Sequence, residues 1–225
     1  MAVRLHCIVE GQTEETFVNR VLRPHLAPLS IWTKARCVMT SRRHGVKYRG
    51  GIKRYAQAES DIKAWMIEDR NSDARFTTMF DLYRLPTDFP GYKDAAQISD
   101  PYQRVRTLEE ALRGDIDDLR FIPYLQLHEF ETLLLSDPQK LDSQFPDRST
   151  GIRRLVELVS TFGSPELINE GSTTAPSKRI TDEIPEYERR KQSAGPIVAE
   201  KIGLSALRSK CEHFGEWLKS LEALV

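Results

Sequence analysis

The first apolar run, VRLHCIVE over residues 3–10, has the length and content of a buried strand. After Gly11 the apolar positions change to helical spacing. Phe17, Val18, Val21 and Leu22 form one stripe, Thr13 is the expected N-cap, and Glu14 and Glu15 fall in the first turn, where the helix dipole favours acids. Pro24 and Pro28 are expected to end that helix. SIWTKARCVMT predicts a second strand, RRHGVKYRGG a loop, and KRYAQAESDIKAWMIEDR a helix with Tyr55, Ile62, Trp65 and Met66 on its apolar face. RFTTMFDLYRL predicts a third strand that stops at Pro86. YQRVRTLEEALRGDI predicts a third helix with Val105, Leu108 and Leu112 facing inward. RFIPYLQLHEFETLLLSD begins as a fourth strand and becomes helical near His128.

Strands alternating with helices at this spacing predict an α/β fold: a mostly parallel, Rossmann-like sheet with helices on both faces and right-handed crossovers. From residue 138 the pattern changes. STGIRRLVELVSTF is helical, GSPELINEGSTTAPSKRITDEIP reads as loop, and SALRSKCEHFGEWLKSLEAL is a closing helix with Leu207, Cys211, Phe214, Leu218 and Leu221 in register. The expected organisation is a core over residues 1–137 and a C-terminal helical extension over 138–225 packed on it.

Composition narrows the class. Of 225 residues, 40% are apolar and 29% charged, as in ordinary soluble domains. No apolar run approaches the ~20 residues of a membrane span, and MAVRLHCIVEG lacks the small-residue cleavage site of a secretory leader. Cys7, Cys37 and Cys211 are odd in number and far apart, which fits neither a disulfide framework nor a zinc pattern, so a reducing cytoplasm is expected. A formal net charge of zero argues against a broad nucleic-acid binder, yet the charges are unevenly placed. No acid lies between Glu15 and Glu59, an interval with ten Lys or Arg. Six of them, Arg42, Arg43, Lys47, Arg49, Lys53 and Arg54, are interleaved with glycines and Tyr48 and are the candidate contacts to a nucleic-acid backbone.

The predicted strands end in acids: Glu10 after the first, Asp81 after the third, Glu129 and Glu131 after the fourth. Ligands of open parallel sheets bind outside the carboxyl ends of the strands, and neighbouring strands lie about 4.8 Å apart. Carboxylates crowded there repel and raise one another's pKa. A Mg²⁺ or Mn²⁺ ion, which prefers hard oxygen ligands, relieves the conflict. Taken singly, Glu10 suits a helix cap or an arginine partner, Asp81 a turn or a phosphoacceptor, Glu129 and Glu131 a first helical turn, and His128 a structural hydrogen bond. Together they predict a metal site of Glu10, Asp81, Glu129 and Glu131.

The stretches VEGQTEETFV, FDLYRLPTDFPG, IPYLQLHEFETLLLSD and APSKRI carry a resemblance. A strand ending in Glu-Gly, followed about seventy residues later by a strand ending in an aspartate, resembles the Toprim domain, the Mg²⁺-binding module of topoisomerases, bacterial primases and OLD-family nucleases. The finer similarity is to a Toprim-like bacterial family, domain of unknown function 4276. The resemblance implies that Glu10 is a metal ligand or general acid/base and that Asp81 is the first aspartate of an Asp-x-Asp motif. Tyr83 stands where the second would be, so one ion is implied, with Glu129, Glu131 or Asp88 as replacement ligand and Glu14 assisting through water. Lys178 and Arg179 are then the implied cationic clamp. The implied activity is Mg²⁺-dependent phosphodiester hydrolysis. With no Walker motif present, an ABC- or AAA-type ATPase is the implied partner, by analogy in prokaryotic defence. Two other readings stay open: an inactive Toprim-like module that regulates an ATPase, and a receiver-like phosphoacceptor at Asp81.

Overall fold

The first apolar run is β1 (Val3–Val9), buried at all but one position. In this computed structural model, residues 2–43, 46–49, 51–83, 85–168, 171 and 173–225 are described, with 39–43 and 46–49 described by backbone alone. A strand with parallel neighbours on both sides needs apolar groups on both faces, which explains the nearly unbroken run. α1 (Gln12–Phe17) starts directly after Gly11, which takes the N-cap position expected for Thr13. Pro24 does not end the helix: a π-helical turn over Val18–Leu22 leads into α2 (Arg23–Leu26), with Pro24 in its first turn, where a missing N–H is tolerated. β2 (Ile31–Cys37) follows. The expected loop at RRHGVKYRGG is instead a hairpin of β3 (Met39–Arg43) and β4 (Val46–Arg49), in which Arg42 is registered against Lys47. Next come α3 (Tyr55–Glu68), β5 (Ala74–Asp81), α4 (Tyr92–Ala95) and α5 (Pro101–Ile116). The third expected strand therefore stops at Asp81, short of Leu85.

The fourth expected strand is broken into β6 (Phe121–Ile122) and β7 (Leu125–Gln126), both parallel to β5 and in the same register on either side of the break. Pro123 has no N–H to give the ladder. The buried Thr78 hydroxyl spans the gap: it accepts from the Tyr124 N–H and donates to the Tyr124 carbonyl, each at 2.9 Å. The sheet order is β2–β1–β5–β6, with β7 beside β6 on β5. For this strand order the right-handed crossover rule assigns α1 and α2 to one face and α3 and α5 to the other. The Tyr55 hydroxyl, donating to Asp115, ties α3 to α5 as that arrangement requires.

The chain divides into two units, Met1–Gln126 with Leu224–Val225, and Leu127–Ala223, where the sequence put the boundary at 137/138. The segment after Gln126 is grouped with the helices that follow because α6 (Glu131–Leu134) packs on them. The rest of this unit is α7 (Ser149–Ser160), α8 (Pro176–Glu183), α9 (Tyr187–Ile202), α10 (Leu204–Lys210) and α11 (Glu212–Glu222). Two expectations are corrected here. The stretch read as loop contains α8, and the single closing helix is two, broken at Cys211, whose backbone is extended. Leu207, Cys211, Phe214, Leu218 and Leu221 are nonetheless all buried.

Cys211 gives α11 no side-chain cap. Glu166, 0% exposed, does so instead: its carboxylate accepts from the His213 and Phe214 amides, each at 3.0 Å. Glu166→Ala leaves both amides without that partner and is expected to lower stability by about 3 kcal/mol. Glu166→Gln, which keeps one acceptor, should cost less. Urea unfolding of the two variants measures the difference.

Candidate functional site

β1 and β5 are adjacent, and the chain leaves them in opposite directions, from β1 outward to β2 and from β5 outward to β6 and β7. The sheet therefore has its topological switch point at the carboxyl ends of β1 and β5, where open α/β sheets bind ligands. Glu10 and Asp81 stand there. The Glu10 N–H donates to the Met79 carbonyl at 3.3 Å, the last rung between the two strands. β1 ends at that point, so the Asp81 N–H has no strand carbonyl to meet. It donates to Glu10 Oε2 at 3.1 Å. The carboxylate thus replaces the missing rung and is fixed against the Asp81 backbone. On its other side Asp81 is registered with the buried Gln126.

Glu14 completes the acidic edge of this unit. It lies in the first turn of α1, only 6% exposed, and accepts the Gly11 N–H at 2.9 Å. Burial, opposed by that bond and reinforced by the charge of Glu10, pushes its carboxyl up to about 7. Gly11 itself is extended (φ −152°), so glycine is not there for a left-handed turn. The Cys37 thiol at the end of β2 donates to the Gly11 carbonyl at 3.4 Å. Asp88, read as a replacement ligand, is exposed and accepts the Tyr55 N–H at 3.0 Å, which caps α3.

Glu129 and Glu131 do not end a strand: β7 stops at Gln126, and both acids belong to the second unit. His128 turns the chain with a left-handed backbone (φ 64°) and donates from Nε2 to the Glu166 carbonyl at 2.9 Å, a structural role. Glu129 Oε2 accepts the Ser177 N–H at 2.9 Å. Glu131, buried in α6, receives the Tyr187 hydroxyl on Oε1 at 3.0 Å. Desolvation, then the neighbouring Glu129, push its carboxyl up to about 7, and Lys191 works against them. Lys178 and Arg179 ride on α8, the first exposed and the second half-buried with its Nε donating to the Thr174 carbonyl. Tyr187 and Lys191 escaped the sequence reading, although Tyr187, Ala194, Val198 and Ile202 sit at helical spacing and are all buried.

A family model described as "Domain of unknown function (DUF4276)" matches residues 9–222. The chain belongs to the DUF4276 family. No curated protein matches it. Among solved structures it is similar to the C-terminal region of the Burkholderia pseudomallei OLD protein, at 13% identity and a TM-score of 0.48 with both chains fully covered. It is also similar to the C-terminal region of the Xanthomonas campestris pv. campestris OLD protein, at 15% identity and a TM-score of 0.39, over 97% of this chain and 96% of that one.

Of the four expected carboxylates in this DUF4276 chain, Glu10 and Asp81 belong to one unit and Glu129 and Glu131 to the other. Among the described residues, no three His, Cys, Asp or Glu side chains gather so as to hold a metal by protein ligands alone. The Glu10–Asp81 edge still fits Mg²⁺ in its usual mode, one or two carboxylates with waters and substrate phosphates completing the shell. Of the six basic residues, Lys53 and Arg54 are exposed, whereas Arg42, Arg43, Lys47 and Arg49 are described by backbone alone and their phosphate contacts lie outside the described side chains. Among the described residues no helix is long and apolar enough to cross a membrane.

Glu14 and Glu131 make metal-free stability depend on pH. A folded-state pKa raised from 4.5 to about 7 favours the protonated fold. That contribution is complete below the unfolded value and is lost as pH rises through about 7. Glu14→Gln removes its share and keeps an acceptor for Gly11. In EDTA at about pH 8 the variant should exceed the wild type by roughly 1–3 kcal/mol, and the gap should close near pH 4. Thermal unfolding across that range tests the sign.

Proposed function

We propose that the DUF4276 chain hydrolyses phosphodiester bonds of nucleic acid with a bound Mg²⁺ or Mn²⁺ ion. The observation that carries this reading is the meeting of Glu10 and Asp81 at the switch point, one carboxylate bonded to the other residue's amide at 3.1 Å. Glu10 and Asp81 are the proposed ligands. The ion, when bound, supplies charge to polarise the phosphate and lowers the pKa of its water. Glu14, desolvated beside Glu10, is the group placed to hold a proton near neutrality at that edge. Glu131 is a further proposed acidic group, and Lys178 and Arg179 are the proposed cations for the charge that builds in the transition state. The basic stretch from Arg42 to Arg54 is the proposed contact to the nucleic-acid backbone, which carries affinity without sequence preference. The resemblance of VEGQTEETFV to the Toprim glutamate motif supports the same roles. An ATPase partner and a place in prokaryotic defence belong to this proposal by the same resemblance.

The second reading, a non-catalytic module that regulates an ATPase, draws on Tyr83 in place of a second aspartate. Incubating the purified chain with plasmid DNA and with RNA in Mn²⁺ separates the two. Cleavage that falls about 100-fold or more in Glu10→Gln and Asp81→Asn, with their folds intact by circular dichroism, is the expected result. No cleavage of either nucleic acid with Mg²⁺ or Mn²⁺, with or without an ATPase added, would overturn the nuclease reading and favour the second.

A further inference from the structure

We infer that Glu129 is a positioning residue: it caps the N-terminus of α8 and so holds the helix that carries Lys178 and Arg179. This rests on the reading of those two residues as the cationic clamp, and it departs from the expectation that Glu129 ligates metal. α8 opens Ala175–Pro176–Ser177. Ala175 has no side chain to cap with, Pro176 has no N–H, and the first amide of the helix is therefore that of Ser177. Ser177 is only 6% exposed, so that amide needs a partner from the protein. Glu129 Oε2 supplies it at 2.9 Å from 48 residues away. A carboxylate there also meets the positive end of the α8 dipole. Lys178 and Arg179 are the next two residues, so displacing the cap displaces them first. Within the pair the work is then divided: Glu129 is committed to the backbone of α8, and Glu131 is held by the Tyr187 hydroxyl.

The test compares Glu129→Gln, which keeps a carbonyl oxygen for the Ser177 amide, with Glu129→Ala, which removes it. Three readouts are taken on the full chain: hydrogen exchange of peptides spanning residues 174–184, Mn²⁺ affinity by calorimetry, and cleavage rate. The expected result is exchange about tenfold faster in Glu129→Ala, with wild-type exchange in Glu129→Gln and wild-type Mn²⁺ affinity in both. The cleavage kcat should fall about tenfold in Glu129→Ala and return to within about threefold in Glu129→Gln. Mn²⁺ binding weakened tenfold by Glu129→Gln, or exchange at 174–184 accelerated in the wild type by adding Mn²⁺, would make Glu129 a ligand and overturn the inference. So would unchanged exchange in Glu129→Ala. A wild-type chain that cleaves nothing overturns the nuclease reading instead, and the exchange data then decide the capping alone.

Discussion

The amide of Asp81 and the carboxylate of Glu10 join the ends of two parallel strands, and the candidate chemistry of the sheet depends on that bond. β1 stops one rung before β5 does. An unmet amide beside a buried sheet costs free energy comparable to a lost hydrogen bond. A side-chain carboxylate is a strong partner for it, because hydrogen bonds to charged acceptors are shorter and stronger than neutral ones. The same bond that closes the ladder therefore fixes a negative charge at the switch point, next to a second carboxyl. Closing the ladder is a demand that a carboxylate meets well, and it accounts for an acid directly after β1.

A second regularity runs through both units. Several helices begin at residues that cannot cap them, and a remote carboxylate takes the place of the local cap. Arg54 precedes α3, and Asp88 accepts the first amide. Ala175 precedes α8, and Glu129 accepts the amide of Ser177. Cys211 precedes α11, and the buried Glu166 accepts two amides. Each of these contacts fixes a helix end to a segment distant in sequence, so one interaction satisfies a donor and sets a packing relation. Acids used this way are hard to tell from metal ligands by sequence, since both uses place a carboxylate where positive potential collects.

Glu14 and Glu131 differ from these caps. Both are buried and both are pushed towards neutral pH by desolvation and an adjacent glutamate. Neither has a cationic hydrogen-bond partner among the described contacts: Glu14 meets a backbone amide and Glu131 a tyrosine hydroxyl. Such groups lower stability when they ionise. Glu166 is equally buried but spends its charge on two amides, and that difference in partners separates a structural acid from a candidate functional one.

The sequence by itself determined the alternation of strands and helices, the apolar content of β1 and β5, and the acids that end them. These follow from local periodicity, and a strand buried on both faces is mostly apolar until it leaves the sheet. The family was legible as well, because its motifs are contiguous strings. Tertiary structure decided the rest. The hairpin of β3 and β4 was hidden because its strands are short and rich in charge and glycines flank them, a composition that propensity assigns to loops. α8 was hidden because its cap lies at Glu129, and the break between α10 and α11 because the apolar stripe runs straight through it. That Glu129 follows no strand and accepts the Ser177 amide was hidden for the same reason: which backbone donor arrives opposite a carboxylate is set by contacts between segments far apart in sequence, and these leave no local period to read.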